Sequence, residues 1–184
     1  MRHLIKKFPV FIFLSMHFAF LAAAIIENQQ NPVSILILSG ISILMGLFYF
    51  KKVKTVGSIY KKIDLLLVIF TSLGAIFTYY LTVEIKLDAV LAAGITGLIS
   101  SALPYLNRRS DLLRELPVAI YCGAFAGMTA PFIAKGFPFI GAAGLISGLI
   151  LIISKNTLHG FGGKLGTIAF GGVSISFLIL FIFS

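Results

Sequence analysis

Seven apolar runs of 17 to 20 residues, separated by short polar segments, constrain this chain more than any other feature of its sequence. A bilayer-spanning helix needs about 20 mostly apolar residues, so each run is a candidate membrane span. Charged residues make up only 11% of the chain, too few to cover the surface of a water-soluble globule. We therefore expect an all-α polytopic membrane protein, a bundle of about seven transmembrane helices: Phe8–Ile26, Val33–Phe50, Asp64–Val83, Leu87–Tyr105, Pro117–Ala134, Phe137–Ile153 and Leu165–Phe183.

The basic residues alternate between the predicted loops in a way that orients the bundle. Of the 15 Lys and Arg residues, 13 lie at the N-terminus and in the second, fourth and sixth loops. The other two, Lys86 and Lys135, lie in the third and fifth loops. Because basic residues concentrate in cytoplasmic loops, this alternation predicts a cytoplasmic N-terminus and an outer C-terminus. The formal net charge of +9 then reflects membrane orientation, and we expect no nucleic-acid partner.

The first apolar run has an alternative interpretation as a cleaved secretion signal. Basic residues precede the apolar stretch Phe11–Leu21, and three alanines follow it as a small-residue cleavage site would. The run is long enough to span a bilayer and His17 interrupts it, so an uncleaved helix is favoured. In either case we expect a multi-pass protein of a bacterial inner membrane. Its predicted partners are the lipid bilayer and, at the cytoplasmic loops, anionic lipids.

Glycine divides the single predicted transmembrane domain, residues 1–184, into two parts. Only four of the 18 glycines fall in residues 1–85, so helices in 8–83 are Gly-poor and those in 87–183 are Gly-rich. Small residues four positions apart lie on one helix face and let two backbones approach closely. The spacing predicts helix packing within one bundle, with a homo-oligomer interface or a sliding transport surface as the alternative. The residues concerned are Gly97, Ser101, Gly123, Gly127, Gly144 and Gly148.

Residues 117–153 have two possible arrangements, two full crossings or a re-entrant hairpin. Pro131 lies near the end of the fifth run, and only Lys135 and Gly136 separate that run from the sixth. Irregular backbone at membrane depth is tolerated only against protein or a water-filled cavity. Full crossings are favoured here because runs of this length just suffice to span the hydrocarbon core.

His17 is the one ionisable residue that the predicted spans place near a span centre. Because a charged group in lipid is costly, we expect His17 to face the bundle interior or a cavity, where it can relay protons or bind a substrate. The structural alternative is a neutral imidazole bonded to Ser15 or to a neighbouring helix. Asp88, at the predicted outer mouth, is a further pathway candidate, although helix capping is its simpler role.

A glycine-rich segment before the seventh run is the second candidate site. Backbone amides of such a segment at a helix N-terminus can point at an anion, such as a phosphate or a lipid head group. The segment does not match a Walker motif. The alternative role is a permissive connection that lets the last two spans pack closely. Its residues are Asn156, His159, Gly160, Gly162, Gly163, Lys164, Gly166 and Thr167.

These features favour a small transporter or channel for a small solute or ion. The alternative is a non-catalytic membrane partner or assembly subunit, or a membrane-acting defence effector. An intramembrane enzyme acting on lipid needs a nucleophile with its base, or a metal constellation, and the sequence suggests neither. A single cysteine, Cys122, excludes a cysteine-clustered metal site. We therefore expect no catalytic residues, no metal and no cofactor.

Overall fold

Every regular element that the structure describes is a helix. The structure, a computed structural model, describes residues 2–50, 63–155 and 163–183, with the backbone alone for 2–13, 16 and 48–50. Within these ranges 84% of the residues are α-helical and no strand occurs, which confirms the all-α prediction. The described helices fall into two compact units, the first with α1 and α2 and the second with α3 to α8.

The first unit contains α1 (Arg2–Glu27) and α2 (Pro32–Phe50), which a short turn connects. Asn31 ends this turn, and its Oδ1 accepts hydrogen bonds from the backbone N–H groups of Val33 at 3.2 Å and Ser34 at 3.4 Å. The proline that follows Asn31 occupies the first helical position, where its missing N–H removes no hydrogen bond. The Asn-Pro pair therefore determines where α2 begins.

The second unit is organised around α3. Its most extensive contacts are with α5 and α7, and it also packs against α4, while α8 packs on α7 and α5. The described elements of this unit are α3 (Ile63–Val83), α4 (Ala89–Ser101), a 3₁₀ turn (Leu103–Tyr105), α5 (Asp111–Gly127), α6 (Pro131–Ala134), α7 (Phe137–Ile153) and α8 (Lys164–Phe183).

Glycines on α5 and α7 bring both helices against the backbone of α3. A Cβ built at Gly144 would lie 2.6 Å from Cα of Ser72, and one at Gly148 would lie 2.7 Å from Cα of Val68. A Cβ at Gly123 would overlap a backbone carbonyl oxygen of α3. Any side chain at these positions would push the helices apart. Although α3 belongs to the Gly-poor part of the sequence, it packs with the Gly-rich helices.

The fourth predicted span is not one continuous helix. α4 ends at Ser101 after 13 residues, and the 3₁₀ turn Leu103–Tyr105 follows. The proline within this turn has no N–H to continue the α-helix and disfavours α conformation in the residue before it. At its other end α4 begins later than predicted, because Asp88 is its N-cap. The Asp88 carboxylate accepts hydrogen bonds from the backbone N–H groups of Val90 at 2.9 Å and Leu91 at 3.3 Å.

The fifth predicted span has both boundaries in the wrong place. α5 begins directly after Ser110, whose hydroxyl caps it by accepting a backbone N–H, so Pro117 lies inside the helix and not near its start. The helix ends at Gly127, and the last residues of the predicted span form the separate four-residue helix α6. Ala130 precedes Pro131 and is extended, with ψ of 139°, which breaks the helical run.

Two of the described helices, α3 and α8, are long and apolar enough to cross a membrane, judged by length and composition. Their 21 and 20 residues extend about 30 Å, the thickness of a hydrocarbon core. The other apolar helical segments found within the described ranges are shorter than 18 residues, so the seven-span bundle stays a prediction. They are His17–Glu27, Pro32–Leu47, Ala89–Tyr105 and Phe137–Ile153.

Candidate functional site

Three charged side chains, at or near the ends of three helices, meet at one end of the second unit. The Nζ of Lys155, two residues after α7 ends, donates to Asp64 Oδ1 at 2.9 Å and to Glu115 Oε2 at 2.5 Å. Asp64 lies in the first turn of α3, and Glu115 lies in the second turn of α5. The three residues, called the Lys155 cluster below, therefore join the N-terminal ends of α3 and α5 to the C-terminal end of α7.

The Lys155 cluster is deepest at Asp64, whose side chain is 5% exposed, compared with 29% for Lys155 and 32% for Glu115. Burial acts to lower the pKa of the Lys155 ammonium, but the hydrogen bonds and charges of Glu115 and Asp64 outweigh it and raise that pKa above its ordinary value. A buried carboxylate is costly unless it is paired and hydrogen-bonded. Lys155 therefore makes the burial of Asp64 tolerable, and the positive end of the α3 dipole adds to this effect.

A second ammonium group, that of Lys164, donates hydrogen bonds to backbone carbonyls just after the C-terminal end of α7. The Nζ of Lys164 donates to the backbone carbonyl of Ser154 at 2.7 Å and to that of Lys155 at 3.5 Å. Carbonyls at the end of a helix lack intrahelical donors, and basic side chains there also complement the helix dipole. Lys164 thus ties the first residue of α8 to the end of α7, beside the Lys155 cluster.

Hydroxyl side chains continue along α3 from the Lys155 cluster. Thr71 and Thr78 follow Asp64 at intervals of seven residues, which places all three on one helix face. Both threonines are fully buried, and Thr78 Oγ1 lies 2.8 Å from Thr96 Oγ1 of α4. Ser72 Oγ donates to a carbonyl of α7 at 2.9 Å. These four hydroxyl residues, called the hydroxyl row below, place oxygen atoms between α3 and two of its neighbours.

Ser147 adds a hydroxyl whose hydrogen-bonding capacity is unused. Ser147 is fully buried in α7. Its Oγ has no hydrogen-bond partner among the residues that the structure describes. Gly172 of α8 lies so close that a Cβ there would be 2.8 Å from the Ser147 backbone nitrogen. Such an unused group costs free energy in the folded state.

The predicted pathway residues lie on two different helices. His17 is half-buried and Ser15 is exposed, and both belong to α1. Residues two apart on an α-helix point to different faces, so the structure does not direct these two side chains at a common point. Asp88 is the exposed N-cap of α4, with its carboxylate bonded to backbone N–H groups.

The predicted anion-binding segment is described only in part. Gly163 has φ of +79°, a left-handed conformation that favours glycine. Lys164 opens α8 with its ammonium on carbonyl oxygens, and Gly166 and Thr167 follow in the first turn. Anion binding by this segment stays a prediction, and in this structure the Lys164 ammonium is engaged with backbone acceptors. Asn156, His159, Gly160 and Gly162 lie outside the described residues.

The predicted packing residues occupy two kinds of environment. The four on α5 and α7 lie against α3 at helix contacts. On α4, a Cβ at Gly97 would lie 2.7 Å from the ring of Tyr121 in α5, whereas Ser101 is exposed and its Oγ donates to a carbonyl of its own helix. The four that lie against α3 are Gly123, Gly127, Gly144 and Gly148.

The sequence alone does not show that the residues of the Lys155 cluster meet. A signal was present, because the predicted topology places all three members on the cytoplasmic side. Asp64 and Lys155 are 91 residues apart, however, and a single sequence does not show which charges on one side are neighbours. The sequence places Asp64 at the start of the third predicted span, and its ion pair with Lys155 is seen only in the structure.

No metal centre is formed by the residues that the structure describes, since no three His, Cys, Asp or Glu side chains among them are grouped to hold an ion. Comparison with known proteins gives no further guide, because no protein-family model, curated protein or solved structure matches this chain. Any functional conclusion therefore rests on the residues and contacts above.

Proposed function

We propose that this chain is a small multi-pass protein of a bacterial inner membrane that carries a small solute or ion across it. The apolar helices α3 and α8 support membrane insertion. The alternation of basic loops supports several crossings with fixed orientation. The loops between the apolar runs are too short for a soluble catalytic domain, which places the proposed activity in the helices or the short loops that join them.

The observation that carries the proposal is the buried carboxylate of Asp64 at the head of the hydroxyl row. Ionisable groups within membrane segments are costly, and they mark ion pathways and proton relays. A cation that reaches Asp64 competes with the Lys155 ammonium for the carboxylate. Glu115 can retain the displaced ammonium, since it already bonds the same Nζ. This chemistry favours a proton or a small cation as the passenger.

His17 contributes a second candidate group to the proposal. Its unperturbed pKa near neutrality suits an imidazole to proton exchange at physiological pH. It lies within the apolar helix α1, where a polar side chain is costly. We expect His17→Ala to abolish flux while expression and oligomer size stay unchanged.

Flux through liposomes tests the proposal. The purified chain is reconstituted, and the uptake of protons, Na⁺, K⁺ and a panel of small solutes is followed with fluorescent indicators. Asp64→Asn should reduce flux to the level of empty vesicles, because the neutral amide has no negative charge to attract a cation and takes up no proton. Asp111→Asn is the matched control, since Asp111 is an exposed carboxylate at the start of α5 near the same end, and its flux should equal that of the wild type.

One result would overturn the proposed transport, and another would remove Asp64 from the pathway. One is the absence of flux by correctly folded wild-type protein for every solute in the panel. The other is equal flux for wild type and Asp64→Asn, with both variants eluting as the same species in gel filtration. The second result would leave transport possible through another route but would remove Asp64 from it.

A non-catalytic partner or assembly subunit is the second candidate, favoured by the tight backbone contacts of α3. Gly123, Gly144 and Gly148 remove the space beside α3 that a solute would need, as expected of a rigid structural bundle. Wild-type protein that shows no flux, but that cross-links in stoichiometric amounts to one membrane protein in its native membrane, would support this role instead.

A further inference from the structure

A surface groove runs between α4 and α5 from their connection to the middle of both helices. Its volume is about 450 Å³, and it is open along its length. Residues at helical spacing form its two walls, so that each wall is one face of a helix. The α4 wall includes Gly94, Gly97 and Ser101, and the α5 wall includes Pro117, Val118 and Tyr121.

The groove is open because α4 carries glycine where a side chain would fill it. A Cβ at Gly94 would meet no atom within 4 Å, so close helix packing does not require glycine there. Within the groove, the ring of Tyr121 lies against Gly97 and packs on Phe125, with ring centroids 4.7 Å apart. The lining therefore includes glycine backbone and an aromatic ring, an apolar surface suited to a hydrocarbon chain.

Positive charge is concentrated at one end of the groove. Arg114 is exposed and lies three, four and seven residues before the α5 residues of the wall, which places it on the same face. Arg108 and Arg109 lie in the connection from α4 to α5, and the Arg108 guanidinium is 5.3 Å from the centre of the Tyr105 ring. Asp111 is the one exposed carboxylate in this region, so the arginines outnumber it.

We propose that the groove binds one anionic phospholipid, with an acyl chain against Gly94 and Gly97 and the phosphate at Arg114. The orientation of the groove fits a lipid, because a lipid places its head group at the membrane surface and its acyl chain towards the membrane centre. The charge fits, because basic residues at a membrane surface attract anionic head groups. The inference rests on the proposed membrane insertion and is independent of transport.

The test measures the lipid that the purified chain retains from nanodiscs of equal parts phosphatidylglycerol and phosphatidylcholine, by native mass spectrometry. Wild-type protein should retain phosphatidylglycerol preferentially. Gly94→Leu fills the groove and should remove the retained lipid. Arg114→Gln should keep lipid in the groove but lower the preference for phosphatidylglycerol about fivefold.

Ala142→Leu is the matched control, because it fills a different groove of about 360 Å³ between α7 and α8. Its retained lipid should match that of the wild type. Equal retention by Gly94→Leu and wild type, or equal loss in Gly94→Leu and Ala142→Leu, overturns the proposal. Lipid bound without preference for either head group also overturns it while leaving membrane insertion intact. Failure to enter nanodiscs at all would instead refute insertion.

Discussion

Replacing Gly123 with alanine tests the backbone contact between α3 and α5. The new Cβ would overlap a carbonyl oxygen of α3 and lie 2.9 Å from the backbone nitrogen of Ala75. Backbone atoms of a helix cannot rotate away as a side chain does, so the two helices must separate. We expect a destabilisation of about 3 kcal/mol, the upper part of the range for overpacked sites.

Helix propensity acts in the opposite direction at the same position. Alanine is favoured over glycine in a helix interior by about 1 kcal/mol, which leaves a net destabilisation of about 2 kcal/mol. For a chain of this size that free energy corresponds to a fall in the unfolding midpoint of roughly 4–8 °C. Gly94→Ala in α4 is the matched control, because no atom lies within 4 Å of its added Cβ. It should raise the midpoint by roughly 2–4 °C.

Cys122 provides the assay. It is the single cysteine of the chain and is fully buried, so a fluorogenic maleimide reacts with it only when α5 is released. Heating the detergent-solubilised protein with this reagent gives the unfolding midpoint of the second unit. The opposite signs expected for Gly123→Ala and Gly94→Ala make the test sharp. If both variants melt above the wild type, α3 and α5 are not in backbone contact and the described packing is wrong.

Two further predictions concern the polar groups of the second unit. Thr78→Val should lower the free energy of unfolding by about 0.6 kcal/mol, the average contribution of a hydrogen bond within a membrane. The double variant Thr78→Val/Thr96→Val should cost no more than this, because it removes both partners of the same bond. If thermal melts show that the losses of the two single variants are equal and add up in the double variant, the two threonines do not share a bond. The raised pKa of Lys155 predicts that its ion pairs contribute their full stability below the ordinary lysine pKa. This stability is lost as the pH rises through the raised pKa. Thermal melts of the wild type at alkaline pH should show the loss, and Lys155→Met should lack it.

The sequence predicted helices best where one signal dominated. The second span is predicted to start at Val33, and α2 begins one residue earlier at Pro32, because Asn31 is a cap and proline suits the first helical position. At α5 two signals competed. The fifth predicted span begins at Pro117, whereas Ser110 is the N-cap of the helix, and the proline is tolerated within it. Hydropathy shows where the apolar run begins but not where the helix is capped, so the predicted start lies too far along the chain.

The candidate site was less predictable than the helices because it depends on tertiary proximity. The distribution of charge placed Asp64, Glu115 and Lys155 on one side of the predicted membrane. It did not show that one ammonium bonds both carboxylates, which requires three helix ends to meet. Likewise, the glycine spacing predicted close helix packing. It did not show that the glycines of α5 and α7 would pack against α3, a helix from the Gly-poor part of the sequence.

α3 precedes in the sequence every helix that packs directly against it in the second unit, namely α4, α5 and α7. A chain is synthesised from its N-terminus, and its parts fold as they emerge. The surface that receives each later helix is therefore already made when that helix leaves the ribosome. The order of these helices in the chain is therefore compatible with assembly in the order in which they are translated.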